Sequence, residues 1–175
     1  MSRREAPART AKRGGSAPTS AKTANVSSPG PLGRWLPAVA WAGVIWTFST
    51  GWFTDKRTAA LLLPLLSALF PGATPAELRA VHQGIRKVAH FTEYLILSLL
   101  LYRALNVERR WSLRAALLAL ALAGLYAVSD ELHQWFVPGR AAAASDCLID
   151  VSGAAAGQGF LAARARSGRL RPRPA

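Results

Sequence analysis

Apolar residues gather along the chain in four long blocks and one short one. Trp35 to Phe53 is 19 residues without a charge. A bilayer core of ~30 Å needs about 20 helical residues, so this stretch predicts a transmembrane helix. Trp35, Trp52 and Phe53 sit at its ends, where aromatic rings favour the membrane interface, and the block reads as a retained anchor. The short run, Thr58 to Phe70, has Pro64 inside it and reaches only about 20 Å as a helix, so an interfacial or re-entrant segment is expected there. Val88–Tyr102, Ala115–Ser129 and Val151–Ala163 follow, and each reaches about 20 residues only by taking in polar neighbours. The pattern predicts an all-α fold, a polytopic membrane helical bundle of four transmembrane helices over residues 35–163.

Charge separates the tails from this bundle. The net charge of +13 rests on 22 Lys and Arg against 9 Asp and Glu. Residues 1–34 carry Arg3, Arg4, Arg9, Lys12, Arg13, Lys22 and Arg34 against Glu5, and residues 164–175 carry five arginines and no acid. Both tails lack apolar periodicity and read as disordered, basic and cytoplasmic. No aromatic residue is interleaved with the N-terminal basic residues before Trp35, so specific nucleic-acid binding is not expected; contact with anionic lipid is. An organellar transit peptide is discounted because the start has no amphipathic pattern. Cys147 is the sole cysteine, which excludes a disulfide scaffold and a Cys-x-x-Cys metal site.

Orientation follows from the short loop carrying Arg103, Arg109, Arg110 and Arg114 against Glu108, which belongs on the cytoplasmic side. Four spans then put both termini in the cytoplasm. The segment between the first two spans is also basic and opposes this mildly. The resulting arrangement brings three polar groups to the outer side: Lys87, His90 and Glu93 with Tyr94; Asp130, Glu131, His133 and Gln134; Asp146 and Asp150. Ionisable groups at membrane depth are costly unless they face a bundle interior or a wet cavity, so these are the candidate pocket residues.

Helical spacing groups Lys87, His90 and Tyr94 in one sector with Glu93 at its flank, and Asp130, Glu131 and Gln134 on one face. Glu131 and His133 point about 200° apart and cannot chelate one ion together. Asp146 and Asp150, at i and i+4, could hold a divalent cation; equally, Asp146 caps its helix and Asp150 pairs with a base. No cofactor is otherwise expected. Gly153 and Gly157 form a small-xxx-small packing face. Arg140, after Pro138-Gly139, either clamps a phosphate or carboxylate ligand or neutralises the nearby acids. Neither a nucleophile elbow nor a P-loop occurs.

Three blocks together resemble the VanZ-like family of bacterial membrane proteins: Lys87-x-x-His90-Phe91-x-Glu93-Tyr94, then Ser129-Asp130-Glu131-x-His133-Gln134-x-Phe136-x-Pro138-Gly139-Arg140, then Asp146-x-x-x-Asp150-x-x-Gly153-x-x-x-Gly157. The resemblance covers about residues 40–163. One departure is Ala141–Ala144, where the family often has a Ser or Thr after Pro-Gly-Arg. The resemblance implies a multi-pass protein of the bacterial cytoplasmic membrane. The family's name comes from a member linked to resistance against teicoplanin-type lipoglycopeptide antibiotics, which conveys a phenotype rather than a reaction.

Two functions fit these residues. The leading expectation is a cell-envelope protein whose polar pocket recognises a lipid-linked or amphiphilic molecule at the outer leaflet. The other is a membrane-embedded transferase or hydrolase acting on a lipid-linked headgroup, with His90 as acid/base and a metal on Asp146 and Asp150. A transporter is disfavoured by the lack of mid-membrane polar residues and of an inverted repeat. The residues identify no protein partner.

Overall fold

A computed structural model describes residues 30–107, 110–138 and 144–168. Among these residues the fold is entirely helical. In chain order it comprises α1 (Pro31–Ser49), a 3-10 turn (Gly51–Phe53), α2 (Asp55–Leu69), α3 (Pro75–Leu105), α4 (Leu113–Phe136) and α5 (Ala144–Arg166). The helices at the two ends run past the apolar blocks, since α1 takes in Pro31–Arg34 and α5 takes in Arg164 and Arg166.

Each boundary has a local cause. Pro31 opens α1 in its first turn, where a missing N–H costs nothing. The Thr54 hydroxyl accepts from the Arg57 amide at 3.4 Å to start α2, and Asp55 adds a carboxylate to that first turn. A capping box starts α3: the Thr74 hydroxyl accepts from the Glu77 amide while the Glu77 carboxylate accepts from the Thr74 amide at 2.7 Å. Ser112 caps α4 by accepting from Ala115 N–H. In α5, Asp146 occupies the first turn and Arg164 and Arg166 the last, both favourable against the helix dipole.

The capping box corrects the sequence expectation for the second span. Thr74 starts that helix 13 residues ahead of Lys87, and α3 runs for 31 residues, about 46 Å. Much of the segment read as a loop before Lys87 is therefore helix. The short apolar run is helical too, as the greater part of α2, which packs on α3.

The core lies between α3, α4 and α5. Ala115, Ala119, Ala123 and Ala127 recur every four residues on α4 and are buried, forming a stripe of small side chains that admits close neighbours. α5 packs most extensively on α3. A Cβ at Gly153 would overlap the Phe91 carbonyl oxygen, and one at Gly157 would lie 2.6 Å from Ser98 Oγ. Ser98 Oγ donates to the Ala154 carbonyl at 2.9 Å, and Gln158 Nε2 to the Ser98 carbonyl at 3.0 Å. The outer helix α1 is tied in by Trp41 Nε1 donating to the Glu93 carbonyl and Tyr126 Oη donating to the Ala42 carbonyl.

Among the described residues, two helices, α3 and α4, are long and apolar enough to cross a membrane, and only 33% of each apolar window is buried inside the protein. A core helix of a soluble protein would be mostly buried. On α4, Leu117, Leu125 and Leu132 are each more than half exposed, so their apolar surface faces outward.

Candidate functional site

Polar residues from three helices meet at one level of the bundle. From α3, His90 Nδ1 meets Asp150 Oδ1 of α5 at hydrogen-bond distance, 3.1 Å. From α4, Asp130 is 2% exposed, and its Oδ2 accepts from Gln134 Nε2 at 2.9 Å, one turn along the same helix. Tyr94 and Asp150 are fully buried. Asp130 lies within electrostatic reach of Asp150 and of the Tyr94 hydroxyl, and Glu93 and Asp146 lie within reach of His90.

Burial makes the partners of these groups matter. A buried polar atom without a hydrogen bond costs about 1–3 kcal/mol, and more when charged. Among the described residues, Asp130 Oδ1, Asp150 Oδ2 and the Tyr94 hydroxyl have no hydrogen-bond partner. Unfilled acceptors in a buried position are uncommon enough to need a reason.

A cavity of about 260 Å³ opens beside them. The polar part of its wall comes from Arg86, His90 and Glu93 of α3, Asp130 and Gln134 of α4, and Ser49 and Thr58. The apolar part comes from Ile45 and Phe48 of α1, Phe53 of the 3-10 turn, Leu62 of α2 and Ile85 of α3. Phe48 and Phe53 meet edge to face with ring centres 4.9 Å apart. A larger hollow of about 620 Å³ lies at the other end of the bundle, where Asn106, Arg110 and Ser112 line a loop crevice. Among its described lining residues that crevice lacks a carboxylate, whereas buried Asp130 and half-buried Glu93 line the smaller cavity.

The remaining residues singled out from sequence fall in different places. Lys87 is exposed and does not line the cavity. Glu131 is half-buried on the next face of α4. His133 stacks on Trp46 of α1 with ring centres 4.1 Å apart. Asp146 is half-buried in the first turn of α5 and accepts from Ser145 Oγ at 3.3 Å. Arg140 lies outside the described residues. Among the described residues no group of three or more His, Cys, Asp or Glu side chains is arranged to hold a metal ion.

Sequence reasoning missed a second polar cluster, between α2 and the N-terminal half of α3. Arg86 Nε lies 3.5 Å from Asp55 Oδ1, and Gln83 Nε2 donates to that same oxygen at 2.8 Å. Buried His82 meets the Thr58 hydroxyl at 3.2 Å and approaches Asp55 at 3.8 Å. A signal was present, because His82, Arg86, His90, Tyr94 and Ser98 recur every four residues, so each neighbours the next in a polar stripe that winds slowly around the helix. The uncharged-block criterion hid it by starting the helix too late.

A sequence model of the VanZ/LLP1 family matches residues 34–164. No curated protein and no solved structure matches the chain. The family match takes in α3, α4 and α5 up to Arg164, together with every residue that lines the cavity. Since the match extends over well more than half of the sequence, the chain belongs to the VanZ/LLP1 family.

Proposed function

We propose that this protein is a multi-pass protein of the bacterial cytoplasmic membrane that recognises a lipid-linked or amphiphilic envelope molecule at the outer leaflet. The observation that carries the reading is the cavity, whose wall joins apolar side chains from α1, α2 and α3 to half-buried polar groups on α3 and buried ones on α4. An amphiphile needs both kinds of surface within one molecular length.

Depth supports the outer leaflet. From Leu113, beside the arginine-rich loop, to Asp130 is about 25 Å along α4. With that loop in the cytoplasm the cavity lies near the opposite interface. In the proposed topology α1 and α5 join α3 and α4 as spans, both termini are cytoplasmic, and α2 with the N-terminal part of α3 lies at the outer surface. Resistance to lipoglycopeptide antibiotics is one consequence such recognition could have, through the envelope precursor bound.

A second reading is favoured by the His90–Asp150 contact. A carboxylate at Nδ1 orients an imidazole and sets which nitrogen carries the proton. An enzyme acting on a lipid-linked headgroup would use His90 as its acid/base, with Arg140 available to hold an anionic group. Lipid extraction and mass spectrometry of the purified protein, wild type against Arg140→Ala, tests both readings. A specific co-purifying amphiphile supports recognition, and its chemical conversion by the protein supports the enzyme. If neither preparation retains any amphiphile above the level of bulk lipid, both readings fail.

A further inference from the structure

We propose that the crevice between α3 and α4, at the other end of the bundle, binds a phosphate group presented by an anionic lipid. This site stands apart from the cavity beside Asp130, so its failure and that of the recognition reading are separate outcomes. Arg110 and Arg114 line the crevice of about 620 Å³, and no carboxylate joins them among its described lining residues. Both arginines are exposed, and neither guanidinium has an ion-pair partner among the described residues. Arg114 also stands in the first turn of α4, where the helix dipole is already positive and no acidic side chain offsets it. The local demand is for an anion.

The wall is held by hydrogen bonds of its own. The buried Tyr102 hydroxyl accepts from Asn106 Nδ2 at 2.9 Å and from the Ser112 amide at 3.0 Å. Asn106 Nδ2 also donates to the Arg110 carbonyl at 2.6 Å, so the backbone that carries Arg110 and leads into Arg114 is fixed from both sides. The Ser112 hydroxyl accepts from the Ala115 amide, which leaves its own proton to donate. Guanidinium forks and a hydroxyl are donors that phosphate oxygens accept from. The rest of the wall points to a lipid as the carrier. Leu105 and Leu118 line the crevice, and Leu118 lies about 6 Å farther along α4 than Arg114, where Leu117 and Leu122 also face outward. A free phosphate makes no use of that apolar surface, whereas an acyl chain does. In the proposed topology this end of the bundle meets the cytoplasmic leaflet and its anionic lipids.

The test titrates the full-length protein in a neutral maltoside detergent with dodecyl phosphate and with inorganic phosphate, read by calorimetry. Dodecyl phosphate should bind at least about tenfold more tightly than inorganic phosphate, and Arg110→Gln with Arg114→Gln should weaken it at least about tenfold. Arg164→Gln with Arg166→Gln removes the same charge from exposed positions in the last turn of α5, and should change the affinity less than about twofold. All four arginines are exposed, so thermal unfolding of both double variants should match the wild type. Equal binding of the two phosphates, both weakened by the Arg110 and Arg114 changes, would keep the phosphate site and overturn the lipid as its source. An equal loss in the two double variants would mean diffuse attraction to a basic face and would overturn the site. No binding by the wild type, or an affinity that the Arg110 and Arg114 changes leave untouched, would overturn it as well, whatever the outer cavity binds.

Discussion

Gly153 and Gly159 stand six residues apart on α5 and meet opposite surroundings. A Cβ at Gly153 meets the α3 backbone at Phe91, whereas one at Gly159 meets nothing within 4 Å. Gly153→Ala should therefore destabilise by about 1–3 kcal/mol through overpacking, and Gly159→Ala should cause no loss. Thermal unfolding in detergent separates the two. The His90–Asp150 contact makes a sharper demand, because removing one partner strands a fully buried carboxylate. His90→Ala should cost about 3–5 kcal/mol. In a double-mutant cycle with Asp150→Ala the two losses should fall short of additivity by about 0.5–3 kcal/mol; strict additivity would mean that the pair does not interact. His90, Asp130 and Asp150 were legible from sequence because a charge inside an apolar block stands out. Lys87 stood out for the same reason but lies on the exposed side of α3, and the uncharged-block pattern does not tell one side of a helix from the other.

At the scale of elements, α2 is held to the bundle differently from α4 and α5. Those two bury small residues against α3, whereas α2 leans on a polar contact between Asp55, Gln83 and Arg86 and buries few side chains of its own. Asp55→Ala should loosen α2 by about 1–2 kcal/mol, the worth of one or two net hydrogen bonds to a charged group. Hydrogen–deuterium exchange should then rise roughly tenfold across residues 55–69 while α4 and α5 are unchanged. Equal change in all three helices would mean that α2 is not an independent element. The length of α3 was the least legible feature of the chain. Its first three turns are polar, so hydropathy alone began it near Lys87. The Thr74–Glu77 capping box, spaced Thr-x-x-Glu with Pro75 between, was the local signature that marked the true start.

For the molecule as a whole, the family was readable because its three motifs are long and ordered, and the all-helical class followed from the spacing of the apolar blocks. The cavity was not readable. It is formed where the C-terminal end of α1, the 3-10 turn, α2, α3 and α4 come together, and no single segment contains its pattern. Topology at this scale is testable with reporter fusions: a fluorescent protein that matures only in the cytoplasm should be bright at either terminus, and a periplasmic phosphatase fused there should be inactive. Brightness at one terminus only would mean an odd number of spans. The central claim is occupancy of the cavity, and Ala89, which lines it and is exposed, offers a way to fill the space with little damage to the core. The direct measurement is native mass spectrometry of the wild type and Ala89→Phe released from the same detergent. The wild type is expected to carry a bound amphiphile that Ala89→Phe lacks at matched thermal stability, and equal amphiphile on both proteins would contradict the account.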